Sequence, residues 1–181
     1  MATINTHPIM VEQYEHSFAG VPGFRDELIN GRIVMTPDAK PLHQQVQQNI
    51  RRLLDAACKD SGYICNGDSN IKLTPYDMPS PDLFIVSWPA WRRAMQDDAY
   101  VNVPPLLAVE ILSPNQDASE KVDIYLNARV DVVWVVDPKQ RTVIAYWRTL
   151  SALLDSTDDV TLPAPLKGAL RVEDFFVGLP E

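Results

Sequence analysis

Apolar and polar residues follow one another along this chain in two rhythms, one of period near 3.6 and one of period 2. Met10, Val11, Tyr14 and Phe18 fall at helical spacing and predict a short amphipathic helix over 8–18. The stretch Glu27-Leu28-Ile29-Asn30-Gly31-Arg32-Ile33-Val34-Met35 predicts a β-hairpin. Asn-Gly accepts the two positive φ values of a type I′ turn, and apolar or β-branched residues flank it. Pro37 and Pro41 close that unit. From Leu42 to near Asp60 the set Leu42, Val46, Ile50, Leu53, Leu54, Ala57 predicts a long helix, its polar face carried by Gln45, Gln48, Arg52 and Asp55.

Strand-like segments follow at Tyr63–Cys65, Asn70–Leu73, Asp82–Ser87 and Leu106–Leu112. Ala118, Val122, Tyr125 and Leu126 mark a further helix, opened by the turn Ser113-Pro114-Asn115. Two more strands, Val132–Val136 and Thr142–Trp147, are joined by a turn over Asp137–Arg141. From Ser151 onward the pattern reads as an irregular tail over 151–181 with a last apolar cluster at Phe175–Val177. The order of elements predicts an α/β fold, a mixed central sheet flanked by helices. At 181 residues the chain is expected to form a single domain, 1–181, with the first helix and the tail as appendages.

Composition removes several function classes. No window reads G-x-G-x-x-G or G-x-x-x-x-G-K, so a glycine-loop nucleotide site has no support. The 3 histidines form no H-E-x-x-H pair, and there is no G-x-S-x-G elbow. Cys58 and Cys65 fit neither a C-x-x-C redox pair nor a zinc knuckle and read as small core residues of a reducing cytosol. No signal peptide and no apolar run near the ~18 residues of a membrane span is visible, so the expected location is cytoplasmic. Lys and Arg number 16 against 24 Asp and Glu, a net charge of −8 that disfavours loose, charge-driven binding of nucleic acid or of an anionic membrane.

Glu110 is the most informative residue. It lies inside LLAVEIL, whose length and apolar flanks suit a strand buried on both faces. A carboxylate there must be protonated, paired or bound to a cation. Asp82 stands at the head of LFIV, directly after Pro81 and 28 residues before Glu110. If the two strands pair, both carboxylates converge at one edge of the sheet, as hard oxygen ligands of an open Mg²⁺ site. The plainer readings are a structural ion pair for Glu110 and a turn aspartate for Asp82.

Pro81-Asp82 followed by Glu110 resembles the PD-(D/E)xK nuclease superfamily. More closely, ELINGRIVM, His43 opening a helix, SPDLFIV, LLAVEILSPN, the KVDIYLNA helix and VDVVWVVDP resemble the Uma2 family (DUF820) of restriction-endonuclease-like proteins. The resemblance covers residues 26–147. It implies a restriction-endonuclease-like sheet and a metal-dependent nuclease, using Mg²⁺ or Mn²⁺ held by Asp82 and Glu110. It also implies a nucleic-acid substrate, DNA foremost, and a homodimer, for which Trp88 and Trp91 could serve as the interface.

One departure stands out: the superfamily's lysine two positions after the Glu is Leu112 here. The family's candidate amine comes instead from the following helix, at Lys121. Its neighbours at i−3 and i+4, Ala118 and Tyr125, lie on the apolar stripe, so Lys121 borders the face turned to the sheet. Its other reading is a solvated pair with Asp117. The resemblance adds His43 and Glu27 as further candidate catalytic residues; alone, they read as helix-end packing and a solvated strand charge.

Two rival functions remain open. One is a catalytically inactive module that keeps the nuclease fold and binds nucleic acid or protein, a reading that Leu112 and the net charge of −8 favour. The other is acid–base chemistry on a glycoside, for which the paired carboxylates would stand ~5–9.5 Å apart.

Overall fold

A computed structural model describes residues 7–17, 21–114 and 116–180. Phe18 and Asn115, expected in the first helix and in the turn before the third apolar helix, lie outside them. Six strands form the central sheet in the order β3-β4-β5-β6-β7-β8. They are β3 (Tyr63–Asn66), β4 (Leu83–Ser87), β5 (Leu107–Ile111), β6 (Val132–Asp137), β7 (Thr142–Trp147) and β8 (Leu150–Leu154). Neighbours run antiparallel except β5 and β6, which are parallel and joined by the crossover helix α4 (Ser119–Asn127).

The strands β4, β5 and β6 are almost wholly apolar, Glu110 excepted within them, because helices cover both faces. On β5, Leu107, Val109 and Ile111 pack toward α2 (Pro41–Cys58), in one cluster with Val46, Ile50, Leu54 and Trp134. Ala108, between them in sequence, packs toward α4 with Val122 and Tyr125. Strand alternation therefore turns Glu110, which shares Ala108's face, toward α4. Leu112 packs against that same α4 cluster as an apolar residue.

The hairpin lies apart from this sheet. β1 (Phe24–Ile29) and β2 (Arg32–Pro37) pair in register about an Asn30-Gly31 turn, with φ of 49° and 69°. Gly31 is required twice over, since a side chain there would also run into Pro8. The hairpin is docked by reciprocal backbone hydrogen bonds between Leu28 and Met78, and by α1 (Val11–Ser17), whose Val11 and Tyr14 pack on Leu28. At its tip Asn30 and Arg32 both donate to Glu120 of α4.

Three elements depart from the apolar pattern. A helix, α3 (Trp88–Gln96), follows β4 where none is predicted. Its Ser87 cap accepts from the Ala90 N–H and Pro89 occupies the first turn, where proline is tolerated. Its Trp91 and Ala94, one turn apart, pack half-buried against the Phe84 cluster, an apolar pair too short to stand out as a stripe. Asn70–Leu73 forms only an isolated bridge, Ile71 to Val101, rather than a strand. The expected irregular tail is ordered: β8 extends the sheet, β9 (Asp159–Thr161) pairs with β10 (Ala169–Arg171), and a 3-10 helix spans Val172–Phe176. These pieces are too short, or too exposed on one face, to show a period. They nonetheless complete the core, as Phe175 packs on Trp134 and Asn49 donates to the Phe175 and Val177 carbonyls. Cys58 and Cys65 are buried free thiols, as expected of core residues. No helix among the described residues is long and apolar enough to cross a membrane.

Candidate active site

The register that sets Leu83 opposite Val109 brings the start of β4 beside the end of β5. Asp82 and Glu110 meet there, where the N-terminus of α2, the hairpin and α4 also converge. Among the described residues, the buried polar side chains Glu27, His43, Ser80, Asp82 and Glu110 line one pocket together with Arg25 and Lys121. All five residues expected from the sequence, Glu27, His43, Asp82, Glu110 and Lys121, thus lie in one place. The space left at its centre is about 20 Å³, room for a single water.

Lys121 projects from the first turn of α4 into the acidic half of the pocket. Its Nζ lies 2.7 Å from Glu27 Oε1 and 2.7 Å from Glu110 Oε1, and also donates to the Ser80 carbonyl at 3.4 Å. Tyr125, one turn further along α4, donates its hydroxyl to Glu110 Oε1 at 2.6 Å. Glu27 in turn accepts the Ser80 N–H at 2.6 Å. The exposed pair with Asp117 does not form; Asp117 accepts from Ser119 instead.

Asp82 is held from three sides. Its Oδ2 accepts the Ile111 N–H at 2.7 Å and lies 3.1 Å from His43 Nε2. Its Oδ1 accepts from Arg25 Nη2 at 3.1 Å, while Arg25 Nη1 donates to Asp68 at 2.9 Å. Gln47 of α2 bridges the Asp82 carbonyl and Asp68. His43 Nδ1 is buried without a hydrogen-bond partner among the described residues.

Burial pushes the Glu110 carboxyl up to about 7; Lys121 opposes that rise, and the neighbouring Asp82 and Glu27 reinforce it. Burial also works against the Lys121 ammonium, but Glu110 and Glu27 more than reverse it and keep the amine charged. Burial alone would raise Asp82 too; the contacts with His43, Ile111 and Arg25 outweigh it and hold Asp82 below the usual carboxylate range. The Tyr125 hydroxyl, buried against Glu110, stays protonated far above its ordinary range. Three carboxylates, Glu27, Asp82 and Glu110, thus share one pocket with two cations, Lys121 and Arg25.

Among the described residues no three of His, Cys, Asp and Glu are grouped as ready metal ligands. The donor chemistry still fits a hard divalent cation: Asp82 and Glu110 offer carboxylate oxygens, and such ions complete their shell with water and phosphate. Arg25 and Tyr125 are the contributors that sequence reasoning missed. Arg25 lies two residues before Glu27 and so shares its strand face, and Tyr125 is four residues from Lys121, a same-face helical neighbour.

Comparison with known proteins bears on this arrangement. A structure described as "a putative nuclease belonging to DUF820", from Anabaena variabilis, superposes with a TM-score of 0.79 at 19% identity. The match covers 93% of this chain and 98% of that one, and the shared fold is the restriction-endonuclease-like architecture expected from the sequence. No curated protein matches. The model of the Uma2 family, described as "Putative restriction endonuclease", matches residues 11–172. That span includes both strands of the site, the hairpin and α4, and the chain belongs to the Uma2 family.

Proposed function

We propose that this protein is a divalent-cation-dependent nuclease that hydrolyses phosphodiester bonds, with DNA as its substrate. The observation that carries the reading is the placement of Lys121. Position 112, where a PD-(D/E)xK strand carries its lysine, is an apolar packing residue, and an ammonium from α4 reaches Glu110 instead. A Lys121→Ala substitution would leave two acids without their cation, so the helix supplies what the strand lacks.

Asp82 and Glu110 are the residues that would hold Mg²⁺, or Mn²⁺ in its place. When bound, the cation supplies Lewis acidity to a phosphoryl oxygen and lowers the pKa of attacking water. The chain's own groups do the positioning. Lys121 sets a positive charge where the phosphorane develops its negative charge, an electrostatic role that costs no reorganisation. Glu27 and the Ser80 carbonyl aim that ammonium, Tyr125 fixes the rotamer of Glu110, and His43 with the Ile111 N–H fixes Asp82. The expected assembly is a homodimer, checked by sedimentation.

A second reading is a binding module without catalysis. It is favoured by a pocket of about 20 Å³ in which every acid already has a protein partner. Incubation of supercoiled and linear DNA, and of RNA, with Mg²⁺ or Mn²⁺ separates the two. The nuclease reading requires cleavage that disappears in Asp82→Ala, Glu110→Ala and Lys121→Ala. Cleavage of no substrate, or undiminished cleavage by Asp82→Ala, contradicts it.

A further inference from the structure

Both oxygens of Asp82 are engaged in this structure, yet its three partners differ in how firmly they are built in. The Ile111 N–H belongs to a central strand, and His43 is buried at the start of α2. Arg25 sits on the hairpin, outside the six-stranded sheet, and its side chain is 27% exposed. Its second arm reaches out of the pocket to Asp68, whose side chain is 60% exposed. Of the three, Arg25 is the partner that can leave without disturbing the core.

We propose that Arg25 is an exchangeable cap on Asp82, drawn off by a backbone phosphate of the nucleic-acid substrate. This inference rests on the nuclease reading and adds a regulation to it. A guanidinium presents a planar fork that fits phosphate as well as it fits carboxylate. In the free protein the fork spans Asp82 Oδ1 and Asp68. When a phosphodiester arrives at the rim, the fork turns to it, and Asp82 Oδ1 becomes available to a cation. Nucleic acid and divalent cation then favour each other's binding, because such coupling is reciprocal. Lys121 does not share this behaviour, since it is held by two buried carboxylates and its side chain is only 13% exposed. The device weakens metal loading in the absence of substrate, and it gives a chain of net charge −8 one directed contact for a phosphate.

The test is a calorimetric titration with MnCl₂ alone of the full chain and of its Arg25→Gln, Arg25→Lys and Asp82→Asn variants. Affinity of each for a labelled short DNA duplex is then read by fluorescence anisotropy in EDTA and in Ca²⁺. Releasing one charged hydrogen bond predicts Mn²⁺ binding about tenfold tighter in Arg25→Gln than in the parent. Duplex binding should weaken about tenfold in Arg25→Gln, and its tightening by Ca²⁺ should shrink. Arg25→Lys, which keeps the charge and loses the fork, should fall between. If Mn²⁺ binds the parent, fails with Asp82→Asn and binds Arg25→Gln no more tightly, the cap is wrong and the nuclease site stands. If Arg25→Gln gains Mn²⁺ affinity but binds duplex as the parent does, the phosphate exchange is wrong. If neither parent nor Arg25→Gln binds Mn²⁺, cap and nuclease reading both fall.

Discussion

The two cations of the pocket do the same arithmetic and different work. Lys121 comes from a helix packed on the sheet, lies between two buried carboxylates and donates to the Ser80 carbonyl, while Tyr125 donates to the same Glu110. Arg25 comes from a hairpin beside the sheet and stretches one arm to buried Asp82 and the other to exposed Asp68. The contrast teaches how a buried acidic site is made foldable. One cation is fixed so that Glu27 and Glu110 can be buried at all, and the other is left where incoming ligands can displace it.

The largest expected effect breaks the fixed half. Lys121→Met should cost about 3–5 kcal/mol of stability in urea denaturation, because it strands buried carboxylates without their partner. Arg25→Gln, by contrast, should cost no more than about 1 kcal/mol, as its pair is open to solvent on one side. Equal losses in the two variants would erase the distinction between the halves.

Next in size is Tyr125→Phe. Removing a hydrogen bond to a buried charged acceptor should cost about 1.5–3 kcal/mol. It should also push the Glu110 carboxyl higher still, read by carboxyl carbon NMR. A variant with unchanged stability and unchanged Glu110 titration would remove Tyr125 from the site.

The smallest effects lie in pH. Burial pushes Glu110 in the folded chain up to about 7, above its ordinary value of 4.5. Its contribution favours the folded state fully below pH 4.5 and is lost as pH rises through about 7. Asp82 works the other way: its folded value lies below 3.8, so its contribution is present above that pH and is lost as pH falls further. Denaturation midpoints of Glu110→Gln should therefore lose a decline between these pH values that the parent shows. Cation binding by the parent should strengthen through the same window as Glu110 sheds its proton. A parent whose midpoint is flat there, with the same profile in Glu110→Gln, would contradict this titration.

Much of the site is legible in the sequence. A carboxylate inside LLAVEIL has no solvated position available, and the helical neighbours of Lys121 aim it at the sheet. The Asn-Gly turn places Glu27 in a hairpin, though it does not say where that hairpin docks. That docking, through Leu28 with Met78 and through Glu120, is tertiary, and it alone carries Arg25 to Asp82. No local pattern could have revealed it. Tyr125 was visible only as part of an apolar stripe, because its ring packs with the core while its hydroxyl serves the site. The short strands of the tail bury one residue or none and leave no periodic trace, and α3 offers only the half-buried pair Trp91 and Ala94.

The central claim is that Asp82 and Glu110 together hold a divalent cation opposite a substrate phosphate. Anomalous diffraction from crystals grown with Mn²⁺ and a short DNA duplex tests it most directly. The expected result is one Mn²⁺ within about 2.0–2.6 Å of oxygens from both carboxylates, with Arg25 turned from Asp82 to a phosphate. Mn²⁺ bound elsewhere, or a duplex seated away from the pocket with Asp82 and Glu110 still paired as they are now, would contradict it.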